Sequence, residues 1–430
     1  MIYSLSVLLV FAFSYLGIMI FAKKKTFFAG AGAFCVIILT GLFNASSAGD
    51  LLQFIIRSIN WNVLGIFLGT LLIAEAFIAS RVPALIAHHL VARSKNIGTA
   101  ILLICLMASL LSAFVENVAT VLIVAPIALA IAEKQRISPV PFLIGIAISS
   151  NLQGTATLIG DPPSMILAGY MGLNFNQFFV LRGKPGIFFA VQVGAVASFF
   201  VLNAFFRGFK DPIHEHEQEE VKSWFPTSLI ILMIFLLAIS SFFDPNFSYM
   251  GGIICMVLGV IAILWFLSRK EFRKRDILRM VDFDTLIFLS AIFLLVGSLI
   301  RAGIMEGIAE LVLTYMGKNS FIIYNFIVWF SVLVSAFVDN VPYITAMIPV
   351  TRIIGERMHV SPYLFVFGLL IGACLGGNIT PIGASANVVS VSILRKSGYH
   401  VGMKEFARIG IPFTVSAVIV SSLFVWFTWR

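Results

Sequence analysis

Two short strings place charged chemistry inside apolar surroundings: Glu116-Asn117, within Ser-Ala-Phe-Val-Glu-Asn-Val at 112–118, and Asp339-Asn340, within Ser-Ala-Phe-Val-Asp-Asn-Val at 335–341. Each sets a carboxylate beside an amide, with Thr120 or Thr345 a turn or so further on. At membrane depth an unpaired charge costs at least about 2.5–3.5 kcal/mol. A bound Na⁺ offsets that cost, because hard cations prefer oxygen ligands, and so does a proton carried on the carboxyl. Either ion would couple movement to a gradient. The plainer alternatives are an acid at the membrane interface or an acid paired with a basic residue, and the duplication of the dipeptide weighs against both.

A second pair of strings carries neutral oxygens. Asn151-Leu-Gln-Gly-Thr-Ala-Thr-Leu-Ile-Gly-Asp-Pro-Pro163 supplies Asn151, Gly154, Thr155, Thr157, Gly160 and Asp161. Cys374-Leu-Gly-Gly-Asn-Ile-Thr-Pro-Ile-Gly-Ala-Ser-Ala386, followed by Asn387, supplies Gly377, Asn378, Thr380, Gly383, Ser385 and Asn387. Glycine frees the backbone to turn, proline restricts helix continuation, and Thr, Ser and Asn offer oxygens to an ion. Close packing of helices through small residues is the competing explanation. Asp161 aligns with Ala384, so the two strings are chemically unequal, and Asp161 serves either as a proton carrier or as a helix cap. Glu75 also lies in an apolar stretch, without a supporting motif.

The elements that position these residues follow from composition. The chain is 60% hydrophobic and 11% charged, against about 45–50% and about 25% for soluble globular proteins. Full spans are expected near 2–21, 28–43, 61–80, 140–170 and 186–206, and again near 227–243, 249–268, 284–303, 362–395 and 408–428. The first is read as a retained span rather than a signal peptide, since it lacks a basic start. Segments 99–132 and 320–354 are too long for one span and are interrupted, in the middle by the acidic strings and later by Pro126 and Pro349; each reads as a re-entrant hairpin. Spans 140–170 and 362–395 read as broken helices, because non-helical backbone is tolerated at membrane depth only where it is buried or lines a wet cavity.

Charge gives an orientation. With the N-terminus outside, the inner loops collect Lys23–Lys25, Arg81, Arg93, Lys95, Lys134, Arg136, Arg207, Lys210, Lys222, the Arg269–Arg279 cluster, Arg395, Lys396, Lys404 and Arg408. The other side receives only Arg57, Arg182, Lys184, Arg301, Lys318, Arg352, Arg357 and Arg430, so both termini are expected outside. Membrane topology explains the net charge of +9 better than nucleic-acid binding does. Residues 207–226, including His214 and His216, form a polar cytoplasmic connector, and His88-His89 belongs to a basic inner loop. Asn44-Ala-Ser46 fits a glycosylation pattern too common to use. Cys35, Cys105, Cys255 and Cys374 read as packing residues, without a CxxC pair. No apolar span carries a His, which argues against a membrane-embedded enzyme, and no cofactor is expected beyond Na⁺ or H⁺ as a coupling ion.

The halves repeat. An offset of 223 aligns the two acidic strings, Pro126 with Pro349, Ser138-Pro139 with Ser361-Pro362, Gly154 with Gly377, Thr157 with Thr380 and Gly160 with Gly383, without a gap. Residues 1–206 and 227–430 are therefore two repeats. Five spans apiece means the second begins from the opposite face, an inverted-topology arrangement in an all-α membrane protein.

With these strings in hand, the chain resembles the ion transporter superfamily, in the branch of arsenite permeases, NhaD-type sodium/proton antiporters and the pigmentation P-protein. The resemblance rests on Gly-Thr-Ala-Thr-Leu-Ile-Gly-Asp-Pro-Pro at 154–163, Ser-Ala-Phe-Val-Asp-Asn-Val-Pro at 335–342, Gly-Ala-Cys-Leu-Gly-Gly-Asn at 372–378 and Ile-Gly-Ala-Ser-Ala-Asn-Val-Val at 382–389. It implies a homodimeric elevator transporter in the cell membrane, moving a small inorganic or organic ion. In related dicarboxylate/sodium symporters each hairpin tip carries Ser-Asn-Thr at sodium sites. Glu116-Asn117-Val118 and Asp339-Asn340-Val341 look like those positions with the Ser and Thr replaced. Cation or proton traffic, an arsenite-type or other anion permease, and an ion channel are the functions left open.

Overall fold

The computed structural model describes residues 2–21, 24–43, 47–212, 220–269 and 280–430. Lys23, the Asn44-Ala-Ser46 pattern, His214, His216 and the basic cluster from Lys270 to Arg279 lie outside the described residues.

Long uncharged stretches satisfy their backbone within themselves, so the chain is nearly all helix. The first repeat runs α1 (Ile2–Ile20), α2 (Lys25–Phe43), α3 (Ala48–Ser58), α4 (Trp61–Ala79), α5 (Val82–Ala92), α6 (Ile97–Ser112), α7 (Asn117–Lys134), α8 (Val140–Gly154), α9 (Pro162–Met171) and α10 (Ile187–Phe206). The second runs α11 (Phe225–Phe243), α12 (Met250–Ser268), α13 (Phe283–Arg301), α14 (Ile304–Met316), α15 (Ser320–Ser335), α16 (Asn340–Arg357), α17 (Pro362–Gly376), α18 (Ser385–Lys396) and α19 (Met403–Trp429). A two-residue antiparallel pairing of Val180–Leu181 with Lys184–Pro185 precedes α10.

The offset of 223 carries the bounds of α1, α6 and α7 onto those of α11, α15 and α16, and the start of α9 onto that of α18. It extends to the turns that follow the hairpins, where Arg136 and His359 both take φ of 54°.

Among the described residues ten helices are long and apolar enough to cross a membrane. Nine fall on expected spans. The tenth is α7, one arm of the first hairpin. Val140–Gly154 is too short to qualify alone because the chain leaves the helix at Thr155 and resumes at Pro162, as a broken helix requires. Three points differ from expectation. Pro126 and Pro349 sit inside continuous helices and do not interrupt the hairpin arms. Short helices α3, α5 and α14 occupy stretches read as loops, and His88 and His89 lie on α5. Cys35 is exposed rather than packed, whereas Cys105, Cys255 and Cys374 are buried.

Two bundles result. Helices α1, α2 and α13 pack on one another, α4 packs on α11 and α12, and these two sets join where α4 meets α13; the hairpins, broken helices, α10 and α19 form the other group. The first is centred on α4 against α12, where Gly65 faces Gly252 and a Cβ on Gly69 would strike the backbone of Cys255. Small residues at this spacing let helices approach closely in a membrane, where no hydrophobic drive pulls them together. The second is centred on α8 and α17, in which nearly every residue is buried, as a helix apolar on all sides must be. Large apolar side chains such as Phe13, Phe200, Phe242 and Phe243 remain exposed on the outside, where lipid replaces protein.

Candidate ion and solute site

Each of the three acids singled out in the motifs starts a helix, where a carboxylate satisfies free N–H groups and meets the favourable end of the helix dipole. Glu116 Oε2 accepts from the Ala119 N–H at 3.0 Å at the head of α7. Asp339 Oδ1 accepts from the Val341 N–H at 3.1 Å at the head of α16. Asp161 Oδ1 accepts from the Ser164 N–H at 3.0 Å at the head of α9, so the capping role considered for it is real. Capping uses one oxygen of each acid. The second oxygen distinguishes them: Asp339 Oδ2 accepts from Lys25 Nζ at 2.6 Å, whereas Asp161 Oδ2 is buried with no hydrogen-bond partner among the described residues.

The tips are tied to the broken helices by matching bonds. Thr157 donates its hydroxyl to the Ala113 carbonyl, and Thr380 donates to the Ala336 carbonyl, its counterpart. At the centre Asn151 joins the halves: its amide donates to Asn378 Oδ1 at 2.9 Å and to the Cys374 carbonyl at 2.8 Å, while its Oδ1 accepts from Asn117 Nδ2 at 3.1 Å. Asn378 in turn donates to the Ile148 carbonyl at 3.3 Å. Replacing Asn151 by Leu orphans three buried groups at about 1–3 kcal/mol each, so the variant is expected to unfold at a clearly lower temperature in detergent. An unchanged transition would show that this bridge carries no stability.

A cavity of about 560 Å³ opens where the two bundles meet. Of the residues singled out in the motifs, Glu116, Asn117, Asn151, Asp161, Asp339, Asn340 and Ser385 line it. Thr120, Gly154, Thr155, Thr157, Gly160, Thr345, Gly377, Asn378, Thr380, Gly383 and Asn387 stand behind that lining. Thr120 is turned to the hairpin tip, donating to the Val115 carbonyl, and Thr345 to its own helix, donating to the Val341 carbonyl. Asn387 donates to the Gly377 and Thr380 carbonyls, both at 2.9 Å, and leaves its buried Oδ1 without a partner among the described residues.

The facing wall comes from the first bundle. Glu75 of α4 lines the cavity, as do Asp282 and Asp284 at the start of α13 and Lys25 at the start of α2. Asp282 caps α13 through the Thr285 N–H at 3.0 Å. Lys25, read as part of an inner loop, is the first residue of a span, and its bond realises for Asp339 the basic-partner alternative. Asp282 and Asp284 were missed altogether, although two acids flanking Phe283 at the edge of an apolar run were a usable signal. Among the described residues the cavity therefore carries six carboxylates and one ammonium. The acids are spread around it, and no three His, Cys, Asp or Glu side chains among the described residues converge closely enough to hold a metal ion.

Helices that cross the bilayer, hairpins whose tips end against broken helices, and a charged cavity between two bundles define a multi-pass membrane transporter. The profile of the CitMHS citrate transporter family matches residues 15–352, and the chain belongs to that family. A 46 kDa membrane protein of Mycobacterium leprae is 30% identical over 382 residues, covering 86% of each chain. The P protein of Mus musculus is 28% identical over 405 residues, covering 73% of this chain and 47% of that protein. The YdaH transporter of Alcanivorax borkumensis superposes with a TM-score of 0.61 over 89% of each chain at 12% identity, a likeness of fold.

Proposed function

We propose that this chain is a secondary active transporter in which Glu116 and Asp161 take up a cation or proton whose movement is coupled to a solute crossing through the cavity. The observation that carries this reading is the buried Asp161 carboxylate, which has no charged partner among the described residues, in a cavity shared with Glu116. A carboxylate with only neutral donors at that depth calls for a positive ligand. The elevator motion fits the division into two bundles: the one holding the tips would carry the loaded site past the one built on α4 and α12. Its passage is easier with the carboxylates neutralised than empty. A homodimer and a cell-membrane location with outside termini complete the reading. In that orientation the cavity lies toward the inner face, because α2 and α13 begin where the basic loops gather.

A second reading is favoured by the family description. A citrate-like anion is repelled by six carboxylates unless cations or protons accompany it, so it would enter with compensating charge.

Purified protein in proteoliposomes separates the two. With Na⁺ and pH gradients imposed, alkali cations, citrate, dicarboxylates and arsenite are offered one at a time. The expected result is uphill accumulation of one of them, with counterflow in sealed vesicles. Downhill flux without counterflow would make the protein a channel, and no flux of any solute under either gradient would remove the transport reading.

A further inference from the structure

Lys25 and Asp339 are 314 positions apart and sit on different bundles, Lys25 on α2 and Asp339 at the tip of the second hairpin. The ammonium also lies 4.7 Å from the centre of the Phe288 ring, a cation–π contact that holds it against its own bundle. Helix stability does not explain a lysine there, because a positive side chain in the first turn opposes the helix dipole. The two side chains remain 25% and 23% exposed, so an ion in the cavity can reach the pair.

The halves differ at this point. The residue 223 positions after Lys25 is Ser248, and Glu116, the counterpart of Asp339, has no ammonium among the described residues. The first half-site thus has two carboxylates, Glu116 and Asp161, and no fixed cation among the described residues. The second has one carboxylate, with Ala384 in place of the other acid, and a fixed cation.

We propose that Lys25 is a tethered cation that fills the second half-site in this conformation, and that an alkali cation replaces it at Asp339 before the hairpin tip leaves the α2 bundle. The incoming ion binds the carboxylate oxygen as the ammonium withdraws, still protonated, into the cavity; no proton or electron is transferred. Ser385, which lines the same cavity, offers a neutral oxygen of the kind a hard cation takes. The departure of the tip rests on the transport reading above, whereas the exchange itself concerns only Lys25, Asp339 and the ion.

The test uses the full wild-type chain, which avoids any question of folding. Amines are pulse-labelled with acetic anhydride in LiCl, NaCl, KCl or choline chloride at equal pH and ionic strength, and acetylation is read by mass spectrometry. Lys25 is expected to label at least several-fold faster in one of the alkali chlorides than in choline, with Lys184, which donates to the Thr428 carbonyl, as the internal reference. In D339N, Lys25 should label fast in every salt. Equal labelling of wild-type Lys25 in all four salts overturns the proposal, and so does protection that persists in D339N. A chain that transports none of the solutes offered, yet shows the salt-dependent labelling, would fail the transport reading and keep the exchange.

Discussion

Glu116→Gln is expected to lower gradient-driven flux by about 100-fold or more while the protein stays folded. The amide keeps the length of the side chain and a carbonyl oxygen that still accepts from the Ala119 N–H, so the cap of α7 survives. What disappears is the charge. Removing one partner of a desolvated charge interaction typically costs about 3–5 kcal/mol, and each 1.4 kcal/mol is about tenfold. Initial rates in proteoliposomes, normalised to incorporated protein, check this. Wild-type flux with a wild-type response to pH and Na⁺ would remove Glu116 from the coupling machinery. Asp161→Asn should behave similarly, because its Oδ1 cap to Ser164 is also retained by an amide.

The second large effect is structural. A Cβ on Gly160 would run into the Gly154 carbonyl and lie 2.8 Å from the Ser112 carbonyl; on Gly383 it would lie 2.6 Å from the Gly377 carbonyl and 2.9 Å from that of Ala336. Both are backbone on two sides, with no flexible side chain to yield. Overpacking of this kind costs about 1–3 kcal/mol, occasionally more, and Val at either position is placed at the upper end. Gly160→Val and Gly383→Val should therefore give broadened or aggregated size-exclusion profiles and a lowered unfolding temperature. Gly307, which has nothing within 4 Å of its would-be Cβ, is the control: Ala there should be neutral or stabilising by about 0.5–1 kcal/mol, since helical Ala outlasts Gly. Sharp, wild-type profiles for both valine variants would contradict the close approach of hairpin and broken helix.

Much of the fold was legible because its signals are local. The acidic strings mark the hairpin tips, the Gly-Pro strings mark the helix breaks, and the 223 offset survives in helix bounds as well as in residue identity. Short helices were not legible: α5 is 11 residues and α14 is 13, too short to span, and their polar residues read as loop. The site divides along the same line. The sequence picked out a shell of polar side chains, but which of them line the cavity depends on carbonyls far along the chain. Thr157 is turned away by Ala113, 44 positions before it. The facing wall was least legible: Lys25 read as inner loop, Asp282 and Asp284 sat at the edge of a span, Glu75 had no supporting motif, and all four approach the tips only through the meeting of two bundles.

The bond from Lys25 to Asp339 also runs from one repeat to the other. A chain made from two copies of the first half would set an ammonium toward both tips and a carboxylate at both helix breaks; one made from two copies of the second would have neither. The halves keep the same frame, yet they are no longer interchangeable. Dependence runs in one direction at this contact, since replacing the first half by the second strips the remaining tip of its counter-ion. A duplicated scaffold has in this way become a single indivisible protein at the level of one side chain.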